Sequence, residues 1–189
     1  RQEIANQFSK IFKSANKITH SSAIFGSNLV GMLNRSDYDI IHLHWVMDGM
    51  LSISDIGKIK KPIVWTFHDM WPFCGAEHIA WDKRWKDGYR YDNRPIHESG
   101  FDLNRWTWER KRKYWKHPFK IVTPSNWMAK CVKKSFLMSG WPVNVVPNCL
   151  NTNIWRPIKK SLARDLHSLP KDVPLIMFGS NGINSAHHK

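Results

Sequence analysis

The sequence predicts an α/β fold, a Rossmann-like parallel sheet with helices on both faces. Short apolar, β-prone runs break off into polar residues at His42-Leu43-His44, Phe67-His68-Asp69, Thr123-Pro124-Ser125 and Val146-Pro147-Asn148. Segments with helical spacing or helix-start signals separate these runs, and strands alternating with helices build parallel sheets. At 189 residues and 42% apolar composition the chain is long enough for one domain with a core and part of a second.

In chain order, Ile4, Phe8, Ile11 and Phe12 recur at helical spacing, so residues 2–17 read as an amphipathic helix. Residues 24–33 are apolar but interrupted by Gly26 and Gly31. Residues 39–45 read as a buried strand with a polar end, and Leu51, Ile53, Ile56 and Ile59 suit a short helix that Pro62 stops. Residues 63–67 form the next strand. Residues 82–100 are polar, studded with Tyr and Trp and lack periodicity, which reads as a long surface loop. Asp102 or Asn104 caps a helix running to about Trp115, residues 120–123 form a third strand, and Ser125 caps a helix through Met128, Val132 and Phe136. Residues 143–146 are a fourth strand, 148–157 a connector, 161–166 a helix and 174–178 a fifth strand.

Right-handed crossovers put the carboxyl ends of parallel strands on one edge, where open sheets bind ligands. His42 and His44, His68 and Asp69, Pro124 and Ser125, and Pro147 and Asn148 therefore converge on one rim. An imidazole there can donate to a substrate hydroxyl or move a proton, with Asp69 orienting it or binding a hydroxyl itself. The competing reading is a turn in which Asp69 caps and His68 is satisfied by a carbonyl. His42, His44 and His68 could form a three-histidine metal site, but their spacing is unspecific and no metal is expected. Cys74 and His78 stand at i, i+4, yet Pro72 and Gly75 break a helix there, so Cys74 reads as a packing residue. Asp69 and Glu77 could be a hydrolytic pair only at a separation that sequence does not supply. Ser125 opens a helix whose amino end is an anion site or a plain cap.

The formal net charge is +14, from 29 Lys and Arg against 15 Asp and Glu, which favours an anionic partner: nucleic acid, acidic lipid headgroups or a phosphorylated ligand. Residues 105–116 interleave Trp106, Trp108, Tyr114 and Trp115 with Arg110, Lys111, Arg112 and Lys113. Such a stretch stacks on bases, sits at a membrane surface, or is a helix with an aromatic core side and a solvated basic side. Three cysteines, with no Cys-x-x-Cys pair, argue against a disulfide framework and for a reducing cytosol. No apolar stretch approaches the roughly 18 residues of a membrane span, and no signal peptide is evident. A start at Arg1 without methionine reads as a fragment or a processed chain.

His42-Leu43-His44-Trp45, the run from Trp65-Thr66-Phe67-His68-Asp69-Met70-Trp71-Pro72-Phe73 through Cys74-Gly75-Ala76-Glu77-His78, Thr123-Pro124-Ser125-Asn126-Trp127 and Val146-Pro147-Asn148 together resemble bacterial glycosyltransferases of family 4. Order and spacing fit over about residues 39–157. More narrowly, they are similar to enzymes of exopolysaccharide, colanic-acid-like and O-antigen assembly. The resemblance implies a GT-B fold: an amino-terminal acceptor-binding domain and a carboxy-terminal domain for a nucleotide-sugar, with the active site between them, retention of anomeric configuration and no metal or other cofactor. It implies His68 and Asp69 as catalytic residues, His44, Trp71, Glu77, Ser125 and Asn148 as acceptor-side cleft lining, and Lys189 as a contact to the donor diphosphate. It implies residues 1–157 as the acceptor-binding domain and 158–189 as a connector and first strand of a donor-binding domain.

There are departures from the family pattern. Its opening strand and glycine-rich loop would precede Arg1, most of the donor domain with its paired glutamates is absent, no arginine stands near Ser180, the loop to Lys189 is long, and Asn151 stands where an aspartate is usual. The chain alone is therefore expected to be inactive. The expected function is transfer from a nucleotide-sugar to a polyprenyl-diphosphate-linked or saccharide acceptor in surface polysaccharide or lipopolysaccharide biosynthesis. The expected place is cytoplasmic, peripheral on the anionic inner face of the plasma membrane, since basic residues and Trp suit that interface. The alternatives are a nucleic-acid-binding module using residues 105–116, whose ligand is not the expected partner, and a catalytically inactive scaffold.

Overall fold

The β-prone runs pair into a four-stranded parallel sheet. In the computed structural model, which describes residues 11–177, the elements follow in the order β1 (Phe12–Lys13), α1 (Leu29–Arg35), β2 (Ile41–Leu43), α2 (Ile53–Gly57), β3 (Ile63–Thr66), α3 (Arg84–Asp87), β4 (Ser99–Gly100), α4 (Leu103–Tyr114), β5 (Lys120–Thr123), α5 (Asn126–Lys134), β6 (Val143–Val145) and α6 (Lys160–Leu166). The sheet order is β2-β3-β5-β6. Leu43, Trp65, Ile121 and Val143 stand in register across it. The first three of these are buried, and Val143 packs against the same cluster. All three connections step the same way, so right-handed crossovers lay α2, α4 and α5 on one face. On the opposite face His42, Val64, Lys120, Val122 and Asn144 are exposed or half-buried, and Thr66 is buried.

Local chemistry fixes the helix starts. Ser52 and Asp55 form a reciprocal capping box at α2, with Asp55 N–H donating to Ser52 Oγ at 3.1 Å and Ser52 N–H to Asp55 Oδ2 at 3.0 Å. Asp102 accepts from Arg105 N–H at 3.0 Å to open α4, and Ser125 accepts from Met128 N–H at 3.2 Å to open α5. Gly57 lets α2 and α4 touch, since a Cβ there would stand 2.4 Å from the Tyr114 carbonyl oxygen. Across the same seam the Trp115 indole donates to the Ile53 carbonyl at 2.9 Å.

Between sheet and helices lies an aromatic core. Trp65 packs edge-on against Phe67 and Trp115, at ring separations of 5.3 and 5.5 Å, with Phe119 at 5.7 Å. Such pairs add about 0.5–1.5 kcal/mol each beyond their burial. Of the tryptophans, Trp65, Trp71, Trp85, Trp108 and Trp115 are buried here.

Three sequence expectations are corrected. The helix over residues 2–17 lies partly outside the described residues, and from Ile11 onward it does not form. Phe12–Lys13 instead pairs antiparallel with Ser99–Gly100. The side chains of Ser14 and Asn16 take the nearby N–H groups of Asn16 and Ile18, at 3.1 Å each, and such local bonds compete with helix. The surface loop over 82–100 is anchored inward, because Arg84 is buried with its guanidinium on Asp102 at 2.7 Å and over the Tyr89 ring at 4.7 Å. Of the strand expected over 174–178, residues 174–177 join no ladder among the described residues, and Phe178 lies outside them.

The chain divides into two units, Arg1–Asn148 and Cys149–Lys189, so the stretch 149–157, expected as a connector, falls in the second. There Arg164 ties α6 to the turn that follows, donating to the carbonyls of Pro170 at 2.6 Å, Val173 at 2.7 Å and Lys171. Among the described residues no helix is long and apolar enough to cross a membrane.

Gly57→Ala should lower stability by about 1–3 kcal/mol by forcing α2 and α4 apart. Urea unfolding reads this, and an unchanged midpoint would show that the seam tolerates a methyl group.

Candidate active site

The parallel register brings the ends of β2 and β3 together, and with them two histidines. His44 Nδ1 and His68 Nε2 share a hydrogen bond of 3.0 Å, and their rings stack at 5.3 Å and 23°. Both face solvent. His42 turns its Nε2 to Thr66 Oγ1 at 2.9 Å, and its ring lies 4.4 Å from that of His44. Desolvation, and then the charge of His44, hold His42 below the usual imidazole range. Among the described residues no group of three His, Cys, Asp or Glu side chains is placed to hold a metal ion.

Asp69, next along the rim, is fixed at both oxygens. Oδ1 accepts from Trp71 N–H at 2.9 Å and Oδ2 from His78 Nδ1–H at 2.6 Å. The other nitrogen of His78 meets Ser21 Oγ at 2.9 Å. The tautomer that satisfies all three groups has Ser21 donating to Nε2 and Nδ1–H donating to the carboxylate. Ser21 is held in turn by its N–H on Ala76 O and by the Trp71 indole on its carbonyl, both at 2.7 Å. His44, Trp45, His68, Asp69, Trp71 and His78 all border one shallow depression, floored by Trp65 and Phe67.

Behind the rim the chain from Met70 to Glu77 is wrapped around a buried lysine. Lys111, from the third turn of α4, donates to the carbonyls of Trp71, Cys74 at 3.1 Å and Gly75 at 2.7 Å, and lies 3.7 Å from the Trp71 ring centre. Gly75 is required by the approach of α4, since a Cβ would fall 2.6 Å from Asn104 O. The Asn104 side chain accepts from Ala76 N–H at 3.2 Å, and Tyr89 OH accepts from Gly75 N–H at 2.9 Å while donating to Glu77 Oε1. Glu77 is 2% exposed. Burial pushes its carboxyl up to about 7 and pulls the Lys111 amine down to about 7.

The sequence-predicted site residues are thus sorted. His44 and His68 meet, and Trp71 with Asp69 shares their depression. Ser125 and Asn148 follow β5 and β6 on the same rim, about 5 and 10 Å across the sheet at ordinary strand spacing. Ser125 Oγ is taken up as a cap, and Asn148 is exposed. Lys189 lies outside the described residues. Glu77 is corrected: it lies beneath the rim and lines no cleft, because Tyr89 and α4 enclose it. Asp69 serves His78 rather than His68 as its hydrogen-bond partner. Cys74 is buried, with its thiol pushed well up by desolvation and by Glu77, which leaves no nucleophile there and no role with His78.

His78, Ser21 and Lys111 are the site residues that sequence reasoning missed. His78 enters the sequence reading through its spacing from Cys74 and as the end of the run from Trp65, with no role assigned, and nothing in the sequence marks Ser21 as its partner.

The aromatics of α4 are spoken for. Trp108 and Trp115 are buried, and Trp106 lies under the Arg110 guanidinium at 4.6 Å. Arg110 itself donates to the carbonyls of Ser22 at 2.7 Å and Ala23 at 3.1 Å. The stretch that could have stacked on bases offers no row of free rings, while Arg112, Lys113 and Lys116 remain at the surface.

Compared with known proteins, the chain matches a family model described as Glycosyltransferase Family 4 over residues 5–154. No curated protein and no solved structure matches it.

Two outcomes follow from the buried support. A carboxyl raised by folding binds a proton between its unfolded value and about 7, so the Glu77 contribution favours folding at low pH and is lost as pH rises through that window. Glu77→Gln should therefore gain stability relative to the parent from pH 5 to 8, and a difference constant with pH would contradict it. Lys111→Met should cost on the order of 3 kcal/mol by stranding three buried carbonyls, measured by the same unfolding curves.

Proposed function

The chain belongs to glycosyltransferase family 4, and from that membership we propose that its Arg1–Asn148 unit is the acceptor-binding half of an enzyme of bacterial surface polysaccharide assembly. The donor is a nucleotide-sugar and the acceptor a lipid-linked or free saccharide. The part from residue 158 onward begins the donor-binding side, and the chain alone does not turn over. The observation that supports this best is the hydrogen-bonded His44–His68 pair at the carboxyl rim, with the fixed carboxylate of Asp69 beside it.

The chemistry asks for what that rim has. The acceptor oxygen forms a bond to the anomeric carbon as the bond to the diphosphate oxygen breaks, and the hydroxyl proton departs with the diphosphate. Rate is gained by holding the acceptor hydroxyl in line and by donors that meet charge as it develops. His68 uses Nε2 on His44, so its Nδ1 is the nitrogen that orients the reacting groups. His44 fixes the ring that presents it. The surface cations Arg112, Lys113 and Lys116 of the α4 region suit the anionic inner face of a membrane, where a polyprenyl-linked acceptor would be found.

In the intact gene product, His68→Ala should cut sugar transfer roughly 10²-fold while leaving the melting temperature unchanged. The assay is transfer from a panel of labelled nucleotide-sugars in the presence of membrane extract. Unchanged turnover would remove His68 from the reaction.

A further inference from the structure

We infer that the depression between Trp45 and Asp69 is a subsite for a neutral sugar ring, with Trp45 as its stacking platform, Asp69 as its hydroxyl acceptor, and His78 as the positioning residue that aims Asp69. Trp45 directly follows His44 at the end of β2 and is 48% exposed, although five other tryptophans of this unit are buried in its core. Its ring borders the depression, with its centre 6.3 Å from that of His78. An aromatic face of this kind takes the C–H face of a pyranose lying over the shallow depression, with its hydroxyls turned toward Asp69 at the edge.

The polar side accepts rather than repels such a ligand. An ionised carboxylate has acceptor sites only, about two on each oxygen. Asp69 spends one site of Oδ1 on Trp71 N–H and one of Oδ2 on His78. One site on each oxygen remains, which is the count needed to take two neighbouring ring hydroxyls. A diphosphate offers only acceptors and negative charge, so this carboxylate excludes it. Lipid-linked diphosphate therefore does not occupy the depression, and the sugar of an acceptor does.

His78 makes that carboxylate stationary. Its Nδ1–H holds Oδ2, and Ser21, itself tied to Ala76 and Trp71, holds its Nε2. The ring is buried between them and cannot swing out without breaking both bonds. His78 so acts through Asp69 and not on the ligand.

Identification of the sugar as the acceptor rests on the transferase reading above, but its binding is measured without transfer. The 189-residue chain is titrated with methyl glucoside, methyl galactoside, methyl mannoside and methyl N-acetylglucosaminide, and separately with inorganic diphosphate. Binding is followed by saturation transfer to the glycoside protons. At least one glycoside should bind, and diphosphate should not displace it. Trp45→Ala and Asp69→Asn should each weaken binding about tenfold, the value of one stacking face or one charged hydrogen bond. Trp45→Phe keeps the platform and should stay within about threefold. His78→Leu should behave as Asp69→Asn does, whereas His78→Asn, which keeps a donor at the Nδ1 position, should restore binding to within about threefold. Melting curves accompany every variant, and the exposed Trp45 variants decide the matter if a buried one fails to fold. No response to any glycoside, displacement by diphosphate, or equal binding in Trp45→Ala and the parent overturns the inference. Glycoside binding by the chain, with no sugar transfer by the intact gene product, would instead refute the transferase reading and leave the subsite standing.

Discussion

The rim depends on one amine placed where water cannot reach it. Lys111 is anchored by three main-chain carbonyls rather than by a carboxylate, and these belong to the turn that carries the chain from β3 to His78. A turn of Trp, Pro, Phe, Cys and Gly has no secondary structure of its own to close it, and its carbonyls would be stranded in an aromatic interior. The lysine satisfies them from α4, whose course is set by the Asp102 cap and the close passage at Gly57. The rim's geometry is thus inherited from a helix that contributes no side chain to the depression.

That inheritance explains what was legible in the sequence. The four strands were readable because each is a β-branched or aromatic run with polar residues at its end, and parallel order then fixed which residues share an edge. His44 and His68 were found together for that reason. Asp69 and Glu77 were read as members of one surface, yet one lies on the rim and the other beneath it. Their difference is decided by Tyr89, Asn104 and Lys111, which are 12, 27 and 34 residues beyond Glu77 in the chain and carry no mark of the role. Ser21 stands 57 residues from the histidine it holds. Contacts of that range leave no period in a sequence. From Ile11 onward the helical spacing failed for the opposite reason, since local bonds from Ser14 and Asn16 outweighed it.

The many tryptophans and the strong positive charge turn out to be separate matters. In residues 105–116 they are interleaved in sequence and divided in space, with the rings buried or half-buried and Arg112, Lys113 and Lys116 outward. Arg84 and Arg110 show the exception, each drawn inside to serve a loop, Arg84 on Asp102 and Arg110 on the backbone of Ser22 and Ala23. Charge that looks like a binding surface in composition is in part internal scaffolding, and only the remainder is free to meet an anionic partner.

The hydrogen bonds of Lys111 go to the main chain alone. Its amine donates only to carbonyl oxygens, so Phe73 or Cys74 could be exchanged for other residues of like volume without loosening them, whereas position 71 also meets the amine through its aromatic ring. Lineages of this fold can therefore drift in the residues that face the ligand while the path of the chain beneath them stays put. Such an arrangement allows new ligand preferences to arise by single changes at the rim, each tried on a backbone that does not have to be rebuilt.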